Sequence, residues 1–217
     1  KEFKKKFFIN TNMIYNPLNK KEILKKSNLI KKNYNQFLET KCLKIVNIGR
    51  LTDQKDHLTL IKSLNLIIKK INFRMLIIGY GTNKQFLEKK IKFYNLNKFI
   101  KIIDNRHNPF PYLKKSDLFI LSSKYEGLPN VILEAQTLKK YVISSNCPTG
   151  PKEILKNGKN GSLFKVGDYK HLADIILEFN KNKKKYKKIT DKAYEDLDRF
   201  DYKENCKKYL AIVDKHI

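Results

Sequence analysis

The sequence has few cysteines and no long apolar run. Its three cysteines, Cys42, Cys147 and Cys206, are an odd number and have no C-x-x-C spacing. This pattern predicts neither a disulfide framework nor a cysteine-based zinc site, and it is typical of a reducing compartment. No apolar run approaches the about 18 residues of a membrane span, and the N-terminal segment lacks a secretory apolar region with a cleavage site. We therefore expect a cytoplasmic protein.

The usual nucleotide and metal motifs are also missing. The four histidines show no ligand spacing, and no G-x-x-x-x-G-K-[ST] motif is present, so no metal site and no P-loop is predicted. The G-x-G at 79–81 lacks the third glycine of the dinucleotide fingerprint, and no acidic residue follows at the right distance. The sequence therefore does not predict a site for a nicotinamide dinucleotide.

Acidic residues are scarce: 21 Asp and Glu stand against 47 Lys and Arg, which gives a net charge of +26. Such an excess raises nucleic acid or an anionic membrane surface as partners. The lysines, however, are spread along the chain beside abundant Asn and Ile, which fits a general compositional bias. The densest run, residues 181–188, is expected to be a solvated helix face or loop. We expect no nucleic acid partner, and a peripheral position at the inner face of a membrane stays open.

What is present indicates a globular α/β domain. Hydrophobic residues make up 41% of the 217 residues, enough for one large core. Short β-branched runs alternate with helical patterns, which is typical of a Rossmann-like doubly wound parallel sheet. Strands are predicted at 43–48, 74–78, 100–103, 118–121, 141–144 and 161–164. Apolar stripes predict helices between them: Leu58, Ile61, Leu64, Ile68 and Ile71; Phe86, Ile91 and Phe93; and Val131, Leu133, Ala135 and Leu138.

The two ends of the chain differ from this middle part. Residues 1–40 are too short for a second core and are expected to lead in from another unit. Residues 41–180 form the predicted sheet domain. Residues 181–217 continue a helical pattern that begins near 168, and we expect two or three C-terminal helices packed on the sheet.

In doubly wound sheets, ligands bind beyond the carboxyl ends of the strands. Glu126 and Glu134 follow the fourth predicted strand, with Gly127 and Pro129 between them. If a helix begins near Pro129, Glu126 lies just outside its N-terminus and Glu134 about one turn inside. Both carboxylates can then accept hydrogen bonds from sugar hydroxyls, while backbone amides of Gly127, Leu128 and Asn130 face the ligand. On spacing alone, acids that merely favour the helix start are the commoner explanation.

The loop after the first strand carries two cations. Arg50 and Lys55 follow Gly49, which permits a tight turn. A guanidinium fork and an ammonium at the carboxyl edge suit a diphosphate clamp, although a lone lysine in this basic chain is more often a surface cation. Arg106 and His107, in a proline-bounded loop, could line a base pocket, but a lone histidine is more often structural or exposed.

Four segments occur in a fixed order: G-R-L-T-D-Q-K-D (49–56), S-D-L-F-I-L-S-S-K-Y-E-G-L-P-N-V-I-L-E-A (116–135), Y-V-I-S-S-N-C-P-T-G-P-K-E-I-L (141–155) and N-G-K-N-G-S-L-F-K-V-G-D (157–168). Together they resemble the C-terminal, donor-binding domain of the retaining GT-B glycosyltransferases of family 4, also called group 1. The similarity covers roughly residues 43–179. The segment I-Y-N-P (14–17) resembles the crossover from the N-terminal domain, so residues 1–40 would be a remnant of that domain.

The resemblance implies roles for particular residues. Arg50 and Lys55 would neutralise the donor diphosphate, and Glu126 would contact the donor sugar. Glu134 would contact the ribose, and the backbone from Gly127 to Asn130, with Val131 beside it, would bind sugar or phosphate. Asp56 stands where these enzymes often have glycine.

The same resemblance implies an activity. The chain would hold a nucleotide-sugar, a UDP-hexose or UDP-HexNAc, for retaining transfer to a glycan or lipid-linked acceptor in surface polysaccharide synthesis. Cations aimed at the leaving diphosphate would stabilise the transition state without a cofactor or metal. A front-face route needs no covalent glutamate. The acceptor domain has no counterpart in these residues, so activity of the chain alone is doubtful. Two alternatives are a nucleotide-sugar epimerase or phosphorylase of the same architecture, and a non-catalytic basic module that binds nucleic acid or a membrane surface.

Overall fold

The computed structural model describes residues 13–29, 35–104 and 108–214. Six parallel strands form one sheet in the order β3-β2-β1-β4-β5-β6. The strands are β1 (Leu43–Ile48), β2 (Phe73–Ile78), β3 (Ile100–Ile103), β4 (Leu118–Leu121), β5 (Tyr141–Ser145) and β6 (Ser162–Phe164). The predicted fold class is confirmed, and the predicted strand ends differ from these by at most one residue.

Helices connect the strands and cover both faces of the sheet. They are α1 (Lys20–Ser27), α2 (Asn35–Leu38), α3 (His57–Ile67), α4 (Lys84–Phe93), α5 (Phe110–Lys115), α6 (Asn130–Thr137), α7 (Pro151–Ile154), α8 (Tyr169–Lys181), α9 (Lys183–Glu195) and α10 (Tyr202–Val213). Short 3-10 helices lie at Asp53–Lys55, Lys156–Gly158 and Asp196–Phe200.

Side chains that alternate along each strand divide the core into two layers. On β1, Ile45 packs with α3, α4 and α8 on one face, whereas Val46 packs with α5 and α6 on the other. Ile120 and Phe119 of β4 divide in the same way. All four side chains are fully buried. The continuous apolar runs of these strands follow from burial on both faces, as is usual in parallel sheets.

One predicted apolar stripe is partly wrong. Ile91 of α4 is buried, but Phe86 and Phe93 are 45% and 72% exposed, and Leu87 takes the second buried position. Residues 87 and 91 are four apart and share one helix face, whereas residues 86 and 93 lie beside that face. The Lys90 ammonium lies 5.5 Å and 5.6 Å from the two phenylalanine ring centroids, so the rings are partly covered by a lysine stem.

The segment before α1 packs against the C-terminal helices. The Leu18 amide donates a hydrogen bond to the Phe200 carbonyl at 2.8 Å, and the rings of Tyr15 and Phe200 are 4.6 Å apart. Residues 15–18 therefore lie against the segment that precedes α10. In the basic run 181–188 the lysines are exposed, while Tyr186 is buried against the core. No helix within the described ranges is long and apolar enough to cross a membrane.

A buried histidine joins the first strand to the first long helix. His57, the first residue of α3, is 2% exposed, and its Nε2 lies 3.0 Å from Oδ1 of Asn47 on β1. The Asn47 amide nitrogen donates to the Ile120 carbonyl of β4, which leaves Oδ1 as an acceptor and assigns the proton of His57 to Nε2. Burial, and secondarily the nearby Lys55 ammonium, lower the pKa of His57 to about 4.

This lowered pKa predicts an acid-dependent loss of stability. In the unfolded chain His57 binds a proton near pH 6.5, and in the folded chain it does so only near pH 4. The free energy of unfolding therefore falls as the pH drops through this window. We expect the free energy of unfolding of the native chain to fall by about 3 kcal/mol more than that of His57→Gln between pH 7 and pH 4. Urea unfolding of both proteins across this range measures the difference. Other titrating groups, including Glu134, cancel in the comparison, and parallel pH profiles would contradict the assignment.

Candidate functional site

The sheet reverses its strand order between β1 and β4. From β1 the chain continues to β2 and β3 on one side, and β4, β5 and β6 extend the sheet on the other. At such a point the loops after the two neighbouring strands leave in opposite directions and open a crevice at the carboxyl edge. The two loops here are residues 49–56 and 122–129. They contain Arg50, Lys55 and Glu126, three of the residues singled out from the sequence.

The structure brings Lys55 and Glu126 into direct contact. The Lys55 ammonium lies 2.5 Å from Oε1 of Glu126, and the two side chains are only 14% and 8% exposed. From the sequence alone, a free surface cation was the simpler explanation of Lys55. The structure shows that Lys55 is instead ion-paired and largely buried. A largely buried ion pair needs further hydrogen bonds to offset the loss of water, and the surrounding loops supply them.

Backbone and hydroxyl contacts hold the two loops together. The Lys124 amide donates to the Gln54 carbonyl at 2.7 Å, and the Gln54 side chain donates to the Tyr125 carbonyl at 3.0 Å. The Ser122 hydroxyl donates to the Lys55 carbonyl at 2.9 Å. These bonds fix both ends of the ion pair relative to the sheet.

Hydroxyl groups at the ends of β4 and β5 and in the loops that follow them complete the support of Glu126. The Ser123 hydroxyl donates to the same Oε1 at 2.6 Å, and Ser145 in turn donates to the Ser123 carbonyl. Thr149 donates from its hydroxyl to the Glu126 carbonyl. No described residue donates to the second oxygen, Oε2, so this atom is available to a ligand hydroxyl.

These hydroxyl residues were not predicted from the sequence. A usable signal was present, because the apolar strands β4 and β5 run into the serine pairs Ser122–Ser123 and Ser144–Ser145. Small polar residues that end a buried strand must bond to something nearby. The pattern does not identify the partner.

Glycines allow the loops to approach one another closely. A Cβ atom on Gly150, whose φ is +80°, would lie 1.9 Å from the Gly127 carbonyl oxygen. A Cβ on Gly79 would lie 1.8 Å from the Gly49 carbonyl oxygen, whereas one on Gly49 would meet only the Lys55 side chain at 3.5 Å. The steric requirement thus falls on Gly79 rather than on the predicted Gly49. A Cβ on Gly127 would meet nothing within 4 Å, so the space before its backbone is open.

Asp56 occupies a left-handed conformation, with φ of 45°, where glycine would be less strained. Its carboxylate accepts hydrogen bonds from the amide and the hydroxyl of Thr59, at 3.3 Å and 2.7 Å. This helix cap offsets the backbone strain. The loop keeps its shape without a glycine at this position.

Only one of the two predicted site arginines lies within the described residues. Arg50 is exposed and forms no ion pair with any carboxylate in the described part of the chain, so its guanidinium is free to meet an anion. Arg106, with its neighbour His107, lies outside the described residues, and the prediction for it stays open.

Helix α6 begins beside the ion pair. Pro129 is the N-cap residue and Asn130 the first helical residue, so the helix begins near Pro129, as expected from the sequence. The side chains of Leu128 and Val131 are partly buried against the core. The Asn130 side-chain oxygen accepts from the Asn16 side chain at 3.3 Å. Unpaired amides in the first turn make this end of the helix suited to an anion or a polar ligand.

Glu134 lies one turn further along α6 in a different environment. It borders a cavity of 240 Å³ with Pro17, Lys26 and Phe110, and no described residue donates a hydrogen bond to it. Burial without a cationic partner raises the pKa of Glu134 to about 7. The two glutamates are therefore distinct: Glu126 is ion-paired, and Glu134 is unpaired and gains or loses its proton near neutral pH.

Within the described ranges, no three His, Cys, Asp or Glu side chains gather closely enough to hold a metal ion. The cysteines there are all free. The crevice itself offers two cations, the Glu126 carboxylate and a helix N-terminus, and Glu134 lies in the neighbouring cavity.

One family model and several known proteins match this chain. The family model described as "Glycosyl transferases group 1" matches residues 19–196. An uncharacterised glycosyltransferase of Methanocaldococcus jannaschii is 43% identical over 111 residues, covering 51% of this chain and 27% of its own length.

Two further proteins are similar over most of the chain. A Campylobacter jejuni enzyme named N-acetylgalactosamine-N,N'-diacetylbacillosaminyl-diphospho-undecaprenol 4-alpha-N-acetylgalactosaminyltransferase is 27% identical, covering 76% of this chain and 46% of its own. Anabaena HepE, solved in complex with UDP-glucose, superposes with a TM-score of 0.83 at 21% identity, over 94% of this chain and 57% of that one. The chain thus spans less than two thirds of each of these proteins.

The buried ion pair predicts strong coupling between its partners. We expect Lys55→Met to lower the free energy of unfolding by about 3 kcal/mol, because it leaves a carboxylate buried without a cation. The double variant Lys55→Met, Glu126→Gln should recover much of this loss. Urea unfolding of the native chain, both single variants and the double variant closes the cycle. Additive effects of the two substitutions would contradict the interaction.

Proposed function

The chain belongs to the group 1 glycosyl transferases, and we propose that its crevice binds the nucleotide-activated sugar of such an enzyme. The donor we propose is a UDP-hexose or UDP-HexNAc, and the reaction a transfer with retention of anomeric configuration, as in family 4. The observation that carries the proposal is the Lys55–Glu126 pair at the strand-order reversal, beside the exposed Arg50 and the N-terminus of α6.

The geometry supports a division of roles along the donor. The diphosphate would lie between Arg50 and the first-turn amides of α6, where both a guanidinium and a helix N-terminus favour negative charge. The sugar would accept or donate hydrogen bonds near Gly127 and the free Oε2 of Glu126. The ribose would enter the cavity bordered by Glu134.

This arrangement also suits the chemistry of transfer. As the glycosidic bond breaks, negative charge grows on the leaving diphosphate and positive character grows at the anomeric carbon. Fixed cations stabilise that charge more in the transition state than in the ground state. Lys55 would do so while it holds Glu126 in position. Glu126 would place the sugar and need not form a covalent bond to it.

The proposed acceptor rests on the names of two relatives. The Campylobacter enzyme is named for a diphospho-undecaprenol acceptor, and a Staphylococcus aureus relative is named a capsular polysaccharide biosynthesis glycosyltransferase. We propose an acceptor of the same kind, a glycan or lipid-linked glycan in surface polysaccharide synthesis, reached at the inner face of a membrane. Residues 41–180 would be the donor domain, residues 181–217 its C-terminal helices, and residues 1–40 the crossover to an acceptor-binding domain.

The raised pKa of Glu134 allows its proposed contact with the ribose to be tested by the pH dependence of UDP-glucose binding. If the ionised carboxylate accepts the ribose hydrogen bonds, the apparent affinity follows the ionised fraction, which grows as the pH rises through about 7. We expect UDP-glucose affinity, measured by titration calorimetry, to rise about tenfold from pH 6 to pH 8. The diphosphate diester of UDP-glucose has no proton that titrates in this range, so the dependence belongs to the protein.

Two variants make this test specific. Glu134→Gln removes the titration and should give weak binding that hardly changes with pH. Glu88→Gln makes the same substitution at an exposed position on α4, away from the cavity, and should bind as the native chain does. If UDP-glucose binds with the same pH dependence in all three proteins, the ribose role fails. If no nucleotide-sugar binds the native chain at any pH, the donor proposal fails for this chain.

A further inference from the structure

A second basic site lies beside the crevice. A cavity of 590 Å³ opens against the loop after β5 and the start of α7. Its lining contains four cationic side chains, Lys152, Lys156, Lys159 and Arg199, and one carboxylate, Glu153. A concave surface lined mainly by one sign of charge concentrates counter-ions far better than scattered surface lysines do.

Two of the lysines have no anionic partner. Lys152 and Lys159 are exposed and form no ion pair with any described carboxylate. Lys156 pairs with Asp196 at 2.5 Å, and Glu153 accepts a hydrogen bond from the Tyr15 hydroxyl at 2.6 Å. The Glu153 carboxylate keeps its negative charge, but the lining carries four cationic side chains against it, and the ammonium groups of Lys152 and Lys159 are available to a ligand.

Arg199 is held rigidly at the cavity wall. Its Nη2 donates to the carbonyls of Glu153 and Ile154, both at 3.0 Å. Its guanidinium lies 4.5 Å from the Phe200 ring centroid. An anchored guanidinium loses little entropy when it meets an anion, and it is weakly hydrated, so it suits phosphate recognition.

The cavity shares a wall with the proposed donor crevice. Thr149 and Gly150 line the cavity, yet Thr149 donates to the Glu126 carbonyl and Gly150 packs on the Gly127 carbonyl. Arg50 and Lys55 do not line it. The cavity is therefore next to the crevice but has its own cations.

We propose that this cavity is a second phosphate site, which binds a phosphate or diphosphate group of the acceptor while Arg50 and Lys55 bind that of the donor. The binding of phosphate rests on the cavity itself. Its assignment to the acceptor rests on the proposed function. The phosphate could belong to a soluble phosphorylated glycan or to a lipid headgroup, and both present the same group to Lys152, Lys159 and Arg199.

Binding of inorganic diphosphate tests the site directly. Backbone amide shifts of the 217-residue chain, followed by NMR during a titration, should change at Thr149, Gly150 and Lys152. In Lys152→Gln, Lys159→Gln the affinity should fall by roughly fivefold or more. The matched control is Lys89→Gln, Lys92→Gln on α4, where both lysines are exposed and without an ion pair in the described chain. The control should retain the native affinity.

The Lys89, Lys92 double variant distinguishes binding in the cavity from general attraction of anions to a chain of net charge +26. An equal loss in both double variants, or shifts spread over lysines throughout the chain, would overturn the proposal. UDP-glucose binding should be the same in the native chain and in Lys152→Gln, Lys159→Gln. If diphosphate binds here while UDP-glucose binds nowhere, the phosphate site stands and the donor proposal fails.

Vesicle sedimentation distinguishes the two sources of phosphate. The probes are vesicles that contain phosphatidylglycerol and vesicles of phosphatidylcholine alone. If Lys152→Gln, Lys159→Gln weakens sedimentation with the anionic vesicles more than the control does, the site binds a headgroup at the membrane. If both double variants sediment alike while only the first has lost diphosphate binding, the ligand is a soluble phosphate.

Discussion

The ion pair between Lys55 and Glu126 is the interaction on which the rest of the crevice depends. Two charges with so little exposure cannot persist unless further donors and acceptors replace the lost water. Ser123 donates to the carboxylate, Ser122 ties down the lysine backbone, and Thr149 holds the glutamate backbone. The pair and its supporting bonds therefore join the loops after three strands, β1, β4 and β5, and position the charged groups of the crevice without a ligand. Such preorganisation is what stabilisation of a charged transition state requires.

The two glutamates show how one short segment can supply two kinds of carboxylate. Glu126, outside the helix, is paired with a cation and stays on the face of the crevice. Glu134, one turn inside α6, borders a cavity without any described donor, and burial raises its pKa to about 7. Their separation of eight positions places them in different surroundings, which the sequence spacing alone does not distinguish from two acids that favour a helix start. A ligand that reaches both must extend from the crevice into the cavity, as the proposed nucleotide-sugar would.

Much of the fold was predictable from the sequence, because strands buried on both faces must be continuously apolar and their ends carry the polar loops. All six strands, including β6, and the start of α6 near Pro129 follow from those patterns. The helix face of α4 was harder: Phe86 and Phe93 look like core residues, yet the adjacent Leu87 and Ile91 are buried. Within the site, the partnership of Lys55 with Glu126 and the roles of Ser122, Ser123 and Thr149 could not be predicted. They depend on which strands are neighbours, and residues 55 and 126 become close only because β1 pairs with β4.

A crystal structure of this chain with UDP-glucose would show how the crevice holds the donor. We expect the diphosphate between Arg50 and the first turn of α6, a sugar hydroxyl on Oε2 of Glu126, and the ribose within hydrogen-bonding distance of Glu134. UDP-glucose bound away from the reversal between β1 and β4, or with its ribose remote from Glu134, would contradict the account.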